Sequence, residues 1–472
     1  MIRYNLQQKY RINGRYIIII LSFISVCSNI YAQRLINLDE ARELAIQNNN
    51  ELKMASEEER VAYYEKKEAF LKYFPKVSAN GAYLRNQKDI YLLGSSILPS
   101  SITLPIPPSG IEIPIPDEMN QALHELGRVE IKNIWVGGIS LTQPLFMGGR
   151  IIAYNDIMKN AEELAKNKKD TKLQDIIVEV DEAYWQVVSL SEKKKLAESY
   201  LGLLKKMTSD ISIMEEEGVA TKADVLSVKV KENEAEVALT KVDNGLSLSR
   251  MLLNQLCGIP IEEAITLTDE DSSVSTIQQT PVVPSIEEAW QNRPEIKSLE
   301  LATKIFKGKE KVARAEFLPE VGLTANYLWT NPSSFNGFEK KFGGMWSVGI
   351  MVSMPLNFLT NSTKVNAAKA QTRIQEYQLE EAKEKIELQV NQSAYKLNEA
   401  YKKYEASQKN MEKANENLRY ANVGFEEGVI PASDALAAHT AWLSAHSELI
   451  DAQIDIKLSD VYLNKALGRS LK

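Results

Sequence analysis

The 472-residue sequence is poor in the residues that most folds use for covalent bracing or chemistry. It holds two cysteines, and Cys27 lies in an N-terminal stretch with the marks of a leader. Loss of that stretch leaves Cys257 alone, which excludes an intramolecular disulfide. The three histidines are His124, His439 and His446. His439 and His446 fall about two turns apart in a helical segment, but two ligands make a poor site and His124 is remote, so no metal is expected. Gly148-Gly149 lacks the Lys-Ser/Thr of a phosphate loop. No catalytic triad, paired-carboxylate site or cofactor fingerprint emerges, so neither an enzyme nor a cofactor is expected. After the N-terminal stretch no run approaches the ~20 apolar residues of a membrane-spanning helix. A passage through a membrane would have to be made of strands. Proline is absent between Pro144 and Pro260 and between Pro355 and Pro431, which leaves room for very long helices.

Residues 1–32 read as a secretory signal. Arg3, Lys9, Arg11 and Arg15 form a basic front, Ile17 to Val26 is apolar, and Ile30-Tyr31-Ala32 offers a small residue at the cut. A lipid anchor on Cys27 is disfavoured by the bulk of Val26. Loss of the four cations takes the formal charge from -7 to -11, which argues against nucleic acid as a partner.

What is present is a duplication. Residues 33–258 recur as 285–468, joined by a linker at 259–284 and followed by a tail at 469–472. Each copy opens with a capping-box pattern, Asn37-Leu38-Asp39-Glu40 and Ser285-Ile286-Glu287-Glu288. Phe74-Pro75-Lys76-Val77 answers Leu318-Pro319-Glu320-Val321, and Trp135 to Pro144 answers Trp346 to Pro355. Ala183-Tyr184 matches Ala394-Tyr395, and Glu216-Glu217-Gly218-Val219 matches Glu426-Glu427-Gly428-Val429, followed at equal distance by Asp224 and Asp434. Both copies close on Leu-Asn-x-x-x-Gly, at Leu253 to Gly258 and Leu463 to Gly468.

Four segments alternate apolar and polar residues, which assigns one class to each face of a strand. They are expected at about 76–85, 134–143, 320–329 and 345–354. Val321, Leu323, Ala325, Tyr327 and Trp329 share a face, as do Trp346, Val348, Ile350, Val352 and Met354. Each is about the length of a tilted transmembrane strand. Tyr83, Trp135, Tyr327, Trp329 and Trp346 sit at one end, where an aromatic girdle would lie. Four strands cannot close a barrel alone, so this reading requires several chains.

Helical hairpins are expected over about 151–257 and 364–467. Residues 151–217 and 364–427, rich in Glu, Lys, Ala, Leu and Gln, would each form a helix about 95–100 Å long. Val390, Leu397, Tyr404, Met411, Leu418 and Phe425 recur every seventh residue, a one-sided coiled-coil seam because Gln408, Asn415 and Asn422 are polar. Each long helix stops at a glycine. Thr221 and Asp224 form a capping box for the next helix, and Pro431 takes the matching early-turn position in the second copy.

With these marks the sequence resembles the TolC-like outer membrane efflux protein family over essentially the whole processed chain. The motifs that carry the likeness are the duplication, the strands flanked by proline, Pro144-Leu145-Phe146 with Gly148-Gly149-Arg150, and the two Gly-Val tips followed by Asp. The resemblance implies an α+β membrane protein. Three copies would build a 12-stranded outer-membrane β-barrel continued by a periplasmic α-helical barrel, with outer-membrane lipid against Val321, Leu323, Tyr327, Trp346, Val348, Ile350 and Val352. It implies a passive exit duct for efflux or secretion, with an equatorial belt that includes the linker. The tips Gly218, Val219, Gly428 and Val429 would dock a periplasmic adaptor (membrane fusion) protein, itself coupled to an inner-membrane pump of the RND or ABC type.

The family's gate network is retained only in part. Its positions hold Phe425, Ile430, Asp434 and Ala437, which leaves Asp434 and Phe425 as pore-constriction candidates. Helix capping and dipole stabilisation explain Asp224 and Asp434 equally. Two readings also stand for the connection 87–133, with its six prolines between Pro99 and Pro116: an extracellular segment that caps the mouth or binds something, and a semi-rigid spacer. Against the duct as a whole stand a periplasmic coiled-coil scaffold with a soluble strand cap and, within the family, a protein exporter.

Overall fold

The computed structural model describes residues 34–95, 97–105, 111–270 and 284–469. The leader, its cut after Ala32 and Cys27 lie outside the described residues, as do 271–283 of the linker and the last residues of the tail. In chain order the elements are β1 (Arg34–Ile36), α1 (Leu38–Asn48), α2 (Asn50–Leu71), β2 (Lys76–Arg85), β3 (Ile90–Tyr91), β4 (Ser101–Leu104), β5 (Ile111–Pro114), α3 (Asp117–Leu126), β6 (Arg128–Val129) and β7 (Asn133–Met147). They continue with α4 (Arg150–Glu216), α5 (Lys222–Cys257), β8 (Ile265–Leu267), α6 (Ile286–Asn292), α7 (Pro294–Ala315), β9 (Glu320–Asn331), β10 (Gly343–Ser353), α8 (Phe358–Glu426) and α9 (Ala432–Ala466).

The repeat is visible in this order, with departures from expectation. The opening helix of each copy is broken in two. Arg293 is extended because Pro294 follows it and disfavours helical backbone there. Asn49 takes nearly the same dihedrals and is held by its side-chain Oδ1, which accepts from Glu51 N at 2.8 Å. The opening caps are half-boxes. Asn37 and Ser285 accept from Glu40 N and Glu288 N, but each glutamate turns away, to Arg34 at 3.1 Å and to Arg469 at 2.8 Å. The second long helix begins at Phe358, six residues before the expected 364, since nothing after Pro355 interrupts it.

The chain forms two compact units. Of the described residues, the helical unit takes 34–59, 165–270, 284–298 and 379–469. One of its cores gathers Ala41 and Ala45 of α1, Ile176, Val180 and Tyr184 of α4, Leu253 and Cys257 of α5, and the short strands β1 and β8. These two strands pair in parallel, Arg34 opposite Ile265 and Ile36 opposite Leu267, so the described part of the linker packs into this core. The second copy has its counterpart in Ala289, Ile296, Val390, Leu397, Ile456 and Leu463. Along the heptad seam of α8, Val390, Leu397 and Tyr404 are buried, while Met411, Leu418 and Phe425 are half-buried toward the tip. The helical unit also encloses charge. Asp181 is buried and accepts from Arg42 Nε and Nη2 at 2.7 and 2.6 Å. Burial raises the Asp181 carboxyl above its ordinary range, against the pull of Arg42.

The strand unit takes residues 60–164 and 299–378. Its antiparallel sheet has the order β10-β9-β7-β2, so the two hairpins of the repeat lie side by side and β7 joins β9. The sequence suggested a shorter β7. It runs on to Met147 through a register shift between Pro144 and Phe146, and only then enters the Gly148-Gly149 turn. The connection 87–133 is folded, with β3 on β6, β4 on β5, and the helix α3.

Candidate functional site

Alternation along one strand fixes faces only locally; the register carries it across the whole sheet. Directly opposed residues share a face. One row reads Trp346, Tyr327, Ile139 and Ala79; the next reads Val348, Ala325, Leu141 and Val77. Ile350 opposes Leu323, and Val352 opposes Val321. The other face carries Ser347, Asn326, Ser140 and Ser78 in one row, and Gly349, Thr324, Thr142 and Lys76 in another. The seven residues singled out for lipid contact thus fall on one continuous apolar face. Val348, Ile350 and Val352 are 61–68 % exposed, and Trp346 is 73 % exposed. A contiguous apolar patch of this kind marks an interaction surface.

The aromatic residues cluster at one end of this face. Tyr83 and Trp135 are directly opposed with rings 4.6 Å apart, and Tyr327 and Trp329 lie 5.9 Å apart. The sheet leaves two edges, β2 and β10. β10 has no proline and no charged residue between Gly343 and Ser353, so nothing in its sequence discourages pairing with another strand.

The second candidate site is the pair of hairpin tips. Gly218 and Gly428 have φ of +77° and +69°, the left-handed conformation that lets each long helix stop. The following amides fold back identically: Val219 N donates to Met214 O at 2.8 Å, and Val429 N to Gly424 O at 2.7 Å. Val219 and Val429 then stand 71 % and 78 % exposed. Ile213 and Leu226 near the first tip, and Tyr420 and Val423 near the second, are exposed as well, so each tip presents apolar surface of the kind that suits contact with a partner.

The residues after the tips differ. Thr221 and Asp224 form a complete capping box: Thr221 N donates to Asp224 Oδ2 at 2.9 Å, and Asp224 N to Thr221 Oγ1 at 3.3 Å. The Thr221 hydrogen bonds lower the Asp224 carboxyl below its ordinary range. In the second copy Pro431 is the N-cap itself rather than an early-turn residue, and it offers no side-chain bond. Asp434 is exposed and meets only a long contact from Ser433 Oγ at 3.4 Å. The capping explanation therefore holds for Asp224 and leaves Asp434 only the helix dipole.

Phe425 is half-buried and, like Ile430 and Leu443, packs against the buried cluster that includes Val225, Val228 and Leu436. It borders a cavity of about 80 Å³ with Met207, Asp210, Asn422 and His439. His439 is buried, its Nδ1 has no hydrogen-bond partner among the described residues, and burial lowers its pKa. His446 packs edge-on against Trp442. Among the described residues no group of histidine, cysteine and acidic side chains could hold a metal.

A duplicated chain with a four-stranded amphipathic sheet and two long helical hairpins defines the protomer of a TolC-like outer-membrane channel. The family described as outer membrane efflux protein matches residues 41–258 and 285–469, and the chain belongs to that family. Among solved structures it is similar to the outer membrane protein VceC of Vibrio cholerae, with a TM-score of 0.71 at 15 % identity over 92 % of this chain and 97 % of that one. The MtrE outer membrane channel of Neisseria gonorrhoeae gives 0.71 at 19 % identity over 92 % and 89 %. The outer-membrane channel OprN gives 0.73 at 17 % identity over 92 % and 90 %. In sequence the chain is 26 % identical to the alkaline protease secretion protein AprF of Pseudomonas aeruginosa over 227 residues, 47 % of this chain and 46 % of that protein. The match thus spans about half the length of that relative.

Proposed function

We propose that three copies of this chain form a passive exit duct through the outer membrane, with energy supplied by an inner-membrane pump reached through a periplasmic adaptor. The observation that carries this is the sheet. Its apolar face runs across both hairpins, its other face carries serine, threonine, asparagine, glycine and Lys76 with Met345, Met351, Leu328 and Val136 among them, and its two edges are open. Outer-membrane barrels need about eight strands or more, an even number, lipid outside and polar groups inside. Four strands from each of three chains satisfy all of these and leave no edge.

In this duct Val219 and Val429 present the adaptor-docking surface. Asp434 contributes a carboxylate from each copy near the tips, so a ring of three disfavours anions there. Phe425 narrows the same region from the half-buried side. A soluble scaffold would leave the apolar face of β9 and β10 in water, which makes that alternative the weaker one. The printed name of the AprF relative supports protein secretion as a second reading beside small-molecule efflux, with the same duct serving either.

The test is the native mass of the full chain extracted from outer membranes in mild detergent. A particle of three copies supports the duct. A soluble monomer or dimer in the periplasm refutes it.

A further inference from the structure

The connection 87–133 has no part in the duct described so far. From Ile90 to Ile111 it contains no charged residue. Its base is firmly tied. Asp89 accepts from Arg128 Nη2 at 2.9 Å and from the amides of Ile131 and Lys132 at 3.1 Å. The ring of His124 stacks on Tyr91 at 4.2 Å, and the Asn120 side chain bonds both backbone groups of Leu98. Lys340, from the connection 331–343, reaches Glu130 at 2.8 Å.

On this base stands the hairpin β4–β5. Ile102 is opposite Ile113 and Leu104 opposite Ile111, so four apolar side chains share one face while Thr103 and Glu112 take the other. All four are 41–54 % exposed. Leu92, Met119 and Leu126 in the same connection are exposed as well. A two-stranded hairpin is marginal in water on its own, and one with a bare aliphatic face needs a surface to lie on.

We propose that this face lies on lipid, as an interfacial foot resting in the outer leaflet beside the barrel. The inference rests on the duct reading and extends it. Connectivity places the foot: the segment leaves from Arg85 and returns at Asn133, beside the Tyr83–Trp135 pair that marks the interfacial level of the strands. Charge chooses the occupant. Arg85, Lys88 and Lys132 at the base are exposed and have no ion-pair partner among the described residues. An uncharged apolar face flanked by such cations fits a surface of acyl chains under anionic headgroups.

The test uses the full trimer in vesicles of phosphatidylcholine and phosphatidylglycerol. A polarity-sensitive fluorophore is attached at Leu104→Cys or, as control, at Ile350→Cys on β10, with and without doxyl-labelled lipid. The buried Cys257 stays unlabelled. Loss of emission at Leu104→Cys comparable to that at Ile350→Cys, abolished by a further Ile102→Ser and Ile113→Ser exchange, supports the foot. Quenching at Ile350→Cys alone overturns the foot and leaves the barrel standing. Excimer emission from pyrene at Leu104→Cys assigns the face to a second copy and overturns it too. If neither site is quenched, the foot and the barrel fall together. If Leu104→Cys alone is quenched, the hairpin meets lipid with no barrel beside it, and the foot as proposed is overturned together with the barrel.

Discussion

Arginine at Val348 tests the sheet most sharply, because the register states where the largest cost must fall. β10 has 11 residues, and at about 3.4 Å per residue it is ~37 Å long. A tilt of about 40° reduces this to a height of roughly 28 Å, close to the ~25 Å apolar band of such barrels. Val348 is the central residue of the strand, opposite Ala325 and in row with Leu141 and Val77. An arginine there meets the bilayer midplane and costs about 2–4 kcal/mol per copy, roughly 30- to 1000-fold in the insertion equilibrium. Val352 shares the face but lies about 10 Å nearer the helices, where the same change costs only ~0–1 kcal/mol. Ser347 is adjacent to Val348 but faces Asn326 on the polar side, so Ser347→Arg costs no more than about 0.5 kcal/mol. The assay is refolding of the urea-denatured chain into lipid vesicles, read as the shift in urea midpoint, with trimer yield in parallel. Equal shifts for Val348→Arg and Ser347→Arg would refute the assignment of faces. Wild-type trimer yield from Val348→Arg would refute lipid contact altogether.

Four further outcomes follow from the helical unit. Thr221→Ala removes the capping box and costs the first tip about 1 kcal/mol, measured as faster amide exchange at Val225 to Val228, with no change at the second tip. Because the Asp224 carboxyl is lowered in the fold, its contribution is present above the ordinary carboxylate range and is lost as pH falls through the folded value; Asp224→Asn flattens that acid dependence. Arg42→Ala strands the buried Asp181 carboxylate and costs about 3–5 kcal/mol, seen as a lower melting temperature, whereas Arg42→Ala with Asp181→Ala recovers much of the loss. His439 is held below its ordinary pKa by burial, so its unfolded form takes up protons first and stability falls as pH drops below about 6.5. Lys206, Asp210 and Glu426 border the same cavity, and His439→Phe reduces the loss of exchange protection in α9 between pH 7 and pH 5.

Much of this was legible in the sequence wherever a pattern repeats. The strands announced themselves by alternation, and the face inferred from Val321, Leu323 and Tyr327 is the one that the register extends to Ile139 and Val77. The tips were legible because a left-handed glycine before an exposed valine occurs twice. What stayed hidden depends on partners far apart in the chain. Nothing local marks β1 and β8 as strands, since each is three residues long and exists only by pairing with the other. The Arg42–Asp181 pair joins residues with no sequence relation. Glu40 and Glu288 look like box-closing acids and are captured by Arg34 and Arg469 instead. In the connection 87–133 the prolines hid the β4–β5 hairpin, although Ile102 with Leu104 and Ile111 with Ile113 carried the alternation that would have revealed it.

The unequal connections of the two hairpins bear on how such a ring can evolve. If each protomer supplied one hairpin and six identical protomers closed the ring, any insertion at the mouth would appear six times around a narrow rim. Here the two hairpins sit side by side on one chain, and only β2–β7 carries the long insertion, while β9 and β10 keep a short turn. Fusion of two copies breaks the sixfold equivalence. If three such chains close the ring as proposed, one hairpin is free to carry a bulky accessory at every second position, and its neighbour keeps the clearance that an exit duct needs.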